Sequence, residues 1–268
     1  MQDKIFRKKV QGLGKNSNRQ KARNRYWVFG YHPVKAALLN PNRVSHRLIL
    51  TQNAANKLQQ DINTLDDLNP EIQPSKFIAD LLVSGATHQG FALEVEPLPE
   101  YRFDNLDLNN GPLKPVVLLD QVTDPQNVGA ILRSAEAFFA KAVIATTRNT
   151  PVESGVLAKA SSGAIERIPL IRISNLSVAM KVLKENGCWL IGLDPLAEDE
   201  LENVLLSTSD VNIGFVMGAE GRGLRESVRK QCDYLAKITI KTTIDSLNVS
   251  NAATICLYSA HVIRNKSN

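Results

Sequence analysis

Hydrophobic and polar positions follow two different patterns along this chain of 268 residues. In the first part, short apolar runs alternate with stretches of helical periodicity. The pattern predicts ordered chain from residue 26, helices over 32–39, 54–65 and 76–83, and strands over 47–50 and 91–95. Runs of four to eight apolar residues bounded by turn residues are typical of strands. Together these elements predict a small α/β unit that ends near residue 96.

The second pattern begins near residue 114 and repeats strand, helix, strand. Residues 116–119 form a continuous apolar run, typical of a strand buried on both faces. Asp124 and Pro125 then predict a helix start, with aspartate as the N-cap and proline at the first helical position. Further strands are predicted over 142–145, 168–171, 189–193, 213–217 and 237–240, and a long helix over 249–263. This alternation predicts an α/β fold with a mostly parallel sheet covered on both faces.

Between the two patterns, residues 97–113 contain prolines, a glycine and polar residues without periodicity, which predicts a linker. Residues 1–25 precede the first pattern and hold nine basic side chains against one acidic side chain. The predicted organisation is therefore a basic arm over 1–25, a small domain over 26–96, the linker over 97–113 and a larger domain over 114–268.

Composition and cysteine spacing exclude several classes of protein. Hydrophobic residues make up 43% and charged residues 22%, which excludes wholesale disorder. No apolar run reaches the roughly 20 residues needed to span a bilayer, and the basic start lacks a secretory core, so we expect no membrane association. The three cysteines are far apart and form no CxxC pair. This spacing argues against disulfides or structural zinc and favours a reducing, cytoplasmic location without a bound metal.

The net charge of +5 is unevenly distributed, because the arm is strongly basic and the rest of the chain carries a small negative charge. A basic arm on a near-neutral body is a common arrangement in proteins that bind a phosphate backbone. A solvated tail without a specific partner is the alternative interpretation.

Strand-to-helix loops are where ligands bind in such sheets, and three of these loops have unusual sequences. The first spans residues 120–134 and includes Asn127 and Arg133, about 120° apart on the predicted helix. Alternatively, Asn127 is only a capping residue and Arg133 a surface residue. The third loop spans residues 238–253 and ends in SLNVSNAA at 246–253, where Ser246 could be the N-cap of the last helix. However, Ser246, Asn248, Ser250 and Asn251 exceed what capping requires, which indicates binding.

The second loop, 216–224, reads VMGAEGRGL and places three glycines within six residues. Glycine lets backbone amides approach a ligand closely. The order is GxxGxG rather than the GxGxxG of dinucleotide folds, and no P-loop Lys-Ser/Thr pair follows. A tight turn would explain the glycines, but it would not explain Glu220 between them. The pattern therefore indicates a functional loop.

In this order, the three loops resemble the three motifs of the SpoU (TrmH-type) RNA ribose 2'-O-methyltransferases of the SPOUT superfamily, over about residues 115–264. The segments FGYHPVKAAL at 29–38 and THQG at 87–90 resemble the small substrate-binding domain of the ribosomal-RNA subgroup, which includes the large-subunit guanosine enzyme. The chain departs from this pattern at 238–240, which reads Ile-Thr-Ile where many relatives have Ile-Pro-Met, and at Thr242, near which relatives have a glycine.

The resemblance implies methyl transfer from S-adenosylmethionine to a ribose 2'-hydroxyl in RNA, with a guanosine of 23S ribosomal RNA as the favoured acceptor. It also implies a trefoil-knotted carboxyl-terminal domain, a homodimer and no metal. A transfer-RNA methyltransferase with the same chemistry stays open as an alternative. So does a non-catalytic RNA-binding module that has retained the fold.

The resemblance also assigns residues to the site. It assigns cofactor contacts to Gly218, Ile238 and Leu247, and catalytic positions to Asn127, Arg133, Glu220, Ser246 and Asn248. Because arginine is effectively always protonated, we expect Arg133 to orient a phosphate and the hydroxyl and to stabilise developing oxyanion charge. Asn127 and Glu220 would hold Arg133 and the loop, while Ser246 and Asn248 would position the ribose.

Overall fold

The structure is a computed structural model that describes residues 25–62, 68–107, 113–219, 221–241 and 246–266. The chain divides into two compact units, one ending at Pro99 and the other beginning at Glu100. Each unit contains its own β-sheet. The predicted basic arm up to residue 24, together with Glu220 and Thr242, lies outside the described residues.

The amino-terminal unit is a four-stranded sheet with helices. In chain order its elements are β1 (Tyr26–Phe29), α1 (Tyr31–Leu39), β2 (Ser45–Leu50), α2 (Gln52–Asp61), β3 (Glu71–Ile72), α3 (Ser75–Leu81) and β4 (Phe91–Val95). The sheet order is β1-β4-β2-β3, with β4 antiparallel to β1 and β2, and β3 parallel to β2. The central strand β4 is buried at four of its five positions.

The core of this unit explains its elements. Ile49, Ile78 and Ala92 form a buried cluster on one face of the sheet, with Trp27 packed against it. Helix α2 begins at an N-cap, because the side chain of Thr51 accepts a hydrogen bond from the backbone of Ala54. Helix α1 buries Val34, Ala36 and Ala37 and leaves its polar side chains toward solvent.

The carboxyl-terminal unit is built on a seven-stranded sheet whose order is β7-β6-β5-β10-β8-β11-β9. Its strands are β5 (Val116–Asp120), β6 (Ala142–Thr146), β7 (Leu170–Ile173), β8 (Cys188–Leu193), β9 (Asp199–Glu200), β10 (Asn212–Gly218) and β11 (Tyr234–Lys237). Its helices are α4 (Pro125–Ala137), α5 (Gly155–Ala160), α6 (Leu176–Glu185), α7 (Leu201–Ser207), α8 (Glu226–Arg229) and α9 (Val249–Lys266). All described strand pairs in this sheet are parallel.

The sequence pattern accounts for this unit. Strands β5 and β6 are buried at every position, as expected for apolar runs covered on both faces. Helix α4 begins as predicted, with Pro125 at the first helical position and Asp124 accepting a hydrogen bond from the backbone of Gln126. The α/β class and the parallel sheet are confirmed.

Two predicted strands are wrong in position. The strand expected over 237–240 lies instead at β11, which ends at Lys237, and residues 238–240 are outside the sheet. The strand expected over 168–171 lies two residues later, as β7. Within the segment predicted as a linker, Phe103 and Leu106 pack against the core of the carboxyl-terminal unit. No described helix is both long and apolar enough to cross a bilayer.

Candidate active site

A cavity of about 760 Å³ opens at the carboxyl ends of three neighbouring strands, β10, β8 and β11. Its walls come from the loop after β8, the glycine-rich loop after β10, the segment after β11 and the start of α9. In a parallel α/β sheet this edge is where ligands bind. The second and third loops that the sequence singled out therefore share one cavity.

All three predicted cofactor positions, Gly218, Ile238 and Leu247, line the cavity. Ile240, which the sequence did not assign to the site, lines it as well. This arrangement explains the wrongly placed strand, because the alternating isoleucines direct apolar side chains into a cavity rather than onto a sheet face. The apolar wall they form suits a flat aromatic ligand such as a nucleobase.

The glycine-rich loop folds back against its own beginning. Gly223 donates a backbone hydrogen bond of 2.9 Å to the carbonyl oxygen of Ala219, and Gly221 has a positive φ of 75°. A Cβ atom on Gly218 would lie 2.3 Å from the carbonyl carbon of Gly223. Since no real Cβ tolerates that approach, only glycine at 218 permits this turn.

The far end of this loop is anchored by a buried carboxylate that the sequence analysis did not assign. Asp120, the last residue of β5, is fully buried, and one of its oxygens accepts a 3.0 Å hydrogen bond from the backbone nitrogen of Arg225. Its other oxygen accepts from Nε of the same arginine at 2.7 Å. An aspartate directly after an apolar strand was the available sequence signal, but its partner lies 105 residues away.

The first and third loops meet through two asparagines. Nδ2 of Asn248 donates a 2.9 Å hydrogen bond to Oδ1 of Asn127, which is 9% exposed. Oδ1 of Asn248 accepts from the backbone nitrogens of Ser250 and Asn251, so Asn248 caps α9. The alternative in which Ser246 is the N-cap is therefore wrong. Asn248 and Ser246 both line the cavity.

Arg133 lies apart from these contacts. It is exposed on α4, and among the described residues it neither lines the cavity nor forms a hydrogen bond or ion pair. The carboxylate expected to hold it, Glu220, is outside the described residues. Asn127 also does not line the cavity in the described part of the chain; it reaches the site through Asn248.

Comparison with protein families shows which family the chain belongs to. Residues 114–258 match the model of the SpoU rRNA Methylase family, and residues 27–101 match the RNA 2'-O ribose methyltransferase substrate binding model. The first match alone covers more than half of the chain. The chain belongs to the SpoU rRNA methylase family.

Curated relatives of this SpoU methylase cover nearly its whole length. It is 36% identical over 237 residues to a protein of Photobacterium profundum named 23S rRNA (guanosine-2'-O-)-methyltransferase RlmB, a match that covers 87% of this chain and 96% of the relative. The protein of the same name from Escherichia coli strain K12 is also 36% identical, with the same coverage. The family expectation drawn from the three loops is thus confirmed.

Solved structures support the fold. The SpoU methyltransferase AviRb from Streptomyces viridochromogenes, in complex with the cofactor AdoMet, superposes with a TM-score of 0.72 at 22% identity. That match covers 96% of this chain and 95% of AviRb. At 22% identity this likeness shows the fold alone. It extends over both units of the SpoU methylase.

Two cysteines of this SpoU methylase, Cys188 and Cys232, lie away from the cavity lining. Burial raises the pKa of the Cys188 and Cys232 thiols to about 12 each, so both stay protonated near neutral pH. Within the described ranges, no three histidine, cysteine or acidic side chains cluster in a way that could hold a metal ion.

Proposed function

We propose that this SpoU methylase transfers a methyl group from S-adenosylmethionine to the ribose 2'-hydroxyl of a guanosine in 23S ribosomal RNA. The observation that carries the proposal is the 760 Å³ cavity, because two of the three family motifs line it. The substrate is supported by curated relatives named 23S rRNA guanosine-2'-O-methyltransferases at 36% identity over 87% of the chain.

The cavity fits S-adenosylmethionine by size and lining. Pockets for ligands of this size usually measure about 300–1,000 Å³ and combine apolar walls with a few polar groups. Gly218, Ile238 and Leu247 would hold the adenosine part, the glycine through its backbone and the other two through apolar surface. When bound, the cofactor supplies a methyl group already activated on a sulfonium.

We propose that the polar residues of the motifs act on the acceptor side. Ser246 lies exposed at the cavity, where its hydroxyl can contact the ribose. Asn248 is held in one orientation by the α9 cap and by Asn127, so its side chain is fixed before RNA binds. Arg133 would orient a phosphate and stabilise the developing oxyanion. Glu220 would hold this arginine and the loop.

We also propose a homodimer formed through the aromatic surface that the two residues after α4 form with α9. Phe139 is 57% exposed and Tyr258 is 55% exposed. Tyr258 contacts Phe138 edge-on at 5.6 Å between ring centres, and His261 stacks on Phe139 at the same distance. A contiguous exposed aromatic surface of this kind is typical of an interface. Light scattering of the wild-type protein should give twice the mass of one chain. The Tyr258→Glu variant should give the mass of a single chain.

The same proposal includes the knot, the domain limits, the location in the cell and catalysis without a metal. We propose that the carboxyl-terminal unit contains the trefoil knot that membership of the family implies. The domain limits at 26–96 and 114–268 are supported by the two family matches and by the division at Pro99. Because the proposed substrate is ribosomal RNA, we also propose a cytoplasmic location. We propose that catalysis needs no metal.

Mapping of 2'-O-methyl groups tests the function. Total RNA from cells with and without the gene is compared, and the purified chain is incubated with S-adenosylmethionine and a 23S rRNA transcript. We expect one guanosine of 23S rRNA to lose its methyl group without the gene and to gain it in vitro. Loss confined to transfer RNA would establish the transfer-RNA alternative. No change in either RNA, with RNA binding retained, would establish the non-catalytic module.

A further inference from the structure

The two segments of the amino-terminal unit that resemble a substrate-binding domain meet at one place. The backbone nitrogen of Tyr31, at the start of α1, donates a 3.2 Å hydrogen bond to Oε1 of Gln89. Gln89 adopts a positive φ of 54°, which a non-glycine residue takes only when its surroundings hold it there. The FGYH and THQG segments, about 58 residues apart in the chain, thus form one surface.

At the centre of this surface, the ring of Tyr31 is fixed from three sides. Its hydroxyl donates a hydrogen bond to the carboxylate of Asp61 at the end of α2. That carboxylate is also paired with Lys35, with 3.1 Å between Nζ and Oδ1. Phe91 contacts the ring edge-on, with 5.5 Å between the ring centres. The ring is therefore pre-organised on a surface where side chains would otherwise move freely.

Lys57 lies over the face of this fixed ring, with Nζ 3.9 Å from the ring centre. Its side chain is exposed, and no carboxylate that the structure describes lies within 4 Å of its Nζ. Asp61, four residues later in α2, is near enough for the Lys57 charge to lower the pKa of its carboxyl group. In contrast, Lys35 is paired with Asp61, and Arg47 with Glu71 at 2.9 Å. A cation over an aromatic ring has a defined position, and the exposed ammonium group of Lys57 can still bind an external anion.

His32 lies next to the Tyr31 ring. Its exposed imidazole meets the Tyr31 ring edge-on at 4.9 Å between ring centres. An exposed aromatic ring next to a positioned cation matches the two parts of an unpaired nucleotide, since its base stacks on aromatic rings and its phosphate binds cations. Residues 26–99 hold five basic against seven acidic side chains, so the overall charge of this unit does not attract RNA. Contact must therefore come from a local site.

We propose that Lys57 and His32, ordered by Tyr31, form a nucleotide-binding site for an unpaired segment of the RNA substrate. Lys57 binds a phosphate, and His32 stacks on the neighbouring base. This inference rests on the proposed function, because it takes the RNA substrate from there. It adds the residues through which the amino-terminal unit selects RNA.

The test uses the full chain and three variants: Lys57→Gln, His32→Ala and the control Lys76→Gln. Lys76 is exposed on α3 of the same unit and makes none of these contacts. Binding to a 23S rRNA transcript is measured between low and moderate salt, together with the kcat and KM of methyl transfer. Calorimetry with S-adenosylmethionine checks that cofactor binding in the cavity is unchanged. A thermal melt checks that each variant is folded.

We expect Lys57→Gln to weaken RNA binding and to reduce the slope of log affinity against log salt by about 0.7, the value for one single-strand phosphate contact. We expect His32→Ala to weaken binding about tenfold, with an unchanged slope, as for the loss of one stacked base. Both variants should raise KM and leave kcat, cofactor affinity and melting temperature near wild type. Lys76→Gln should leave the salt slope unchanged.

Equal effects of Lys57→Gln and Lys76→Gln would overturn the inference, because any surface charge would then serve. Wild-type affinity in both Lys57→Gln and His32→Ala would overturn it as well. Failure of the proposed function is a separate result. If the wild-type chain methylates transfer RNA instead, the same variants are measured on that RNA, and a selective loss there would still support the site.

Discussion

The buried carboxylate of Asp120 accepts hydrogen bonds from both the backbone nitrogen and the guanidinium of Arg225. Asp120 ends β5, and its register partner Gly218 ends β10. Arg225 directly follows the glycine-rich loop and occupies the N-cap position of α8. The pair therefore holds both ends of the eight-residue segment 218–225 next to the cavity.

Asp120→Asn should weaken cofactor binding through this loop. Asparagine has an NH2 group in place of one carboxylate oxygen, and this group cannot accept a hydrogen bond. Arg225 therefore loses one of its two contacts with residue 120. We expect about tenfold weaker S-adenosylmethionine binding by calorimetry and a free energy of unfolding lower by about 1–3 kcal/mol. The matched control is Asp124→Asn, at the exposed N-cap of α4, where asparagine caps as well as aspartate. Wild-type cofactor affinity in Asp120→Asn would remove this anchor from the binding site.

Asn248 has two functions that substitutions can separate. Asn248→Asp retains an oxygen acceptor for the α9 cap but loses the Nδ2 donor to Asn127. Asn248→Ala loses both, and the loss of the cap alone costs about 1 kcal/mol of stability. We expect the aspartate variant to melt close to wild type and yet to lose most methyl transfer. A carboxylate cannot donate to Oδ1 of Asn127, so the Asn127 amide must rotate before the first and third loops are joined again.

The control for this pair is Asn127→Ala, analysed with Asn248→Asp in a double-mutant cycle. If the hydrogen bond carries the effect, the double variant should be no worse than either single variant. An Asn248→Asp variant with full turnover would mean that capping is the whole contribution of this residue.

Features of the fold and the site that depend on local chemistry could be predicted from the sequence, and those that depend on distant residues could not. The run 116–119 and the Asp124–Pro125 start depend on local chemistry, and both were predicted correctly. Ser246 and Asn248 both have capping side chains, so local chemistry could not choose between them. The alternation at 238–240 has a strand period, but its isoleucines line a cavity, and periodicity does not distinguish these environments. The Asp120–Arg225 pair joins residues 105 positions apart, and no local pattern reports it.

Arg133→Ala should abolish methyl transfer while S-adenosylmethionine binding stays within about twofold of wild type. The side chain lies outside the cavity lining, so its proposed contacts are with the acceptor RNA. Arg133→Lys should retain a small fraction of the activity, because lysine keeps the charge but not the planar fork that binds two oxygens. Single-turnover kinetics with saturating RNA measures the effect. The control is Arg148→Ala, another exposed arginine of the same unit, which should stay fully active. Near-wild-type turnover in Arg133→Ala would exclude this arginine from the mechanism.

Removal of residues 1–25 should weaken RNA binding without moving the methylated nucleotide. The segment 1–25 holds nine basic side chains and one acidic side chain. Cations of this density bind phosphates whatever the base sequence, and they release counterions when they do so. The truncated chain should therefore lose affinity most at low salt and give a flatter plot of log affinity against log salt.

The methylated position should stay the same, because selection is assigned to the amino-terminal unit and chemistry to the cavity. A variant in which the nine cations are kept and their order is scrambled is the matched control, and it should bind and methylate like the full chain. An unchanged salt slope after truncation would mean that the arm is a solvated tail without a partner. A shifted methylation site would mean that the arm reads RNA structure, and the assignment of selection to Lys57, His32 and their neighbours would then be wrong.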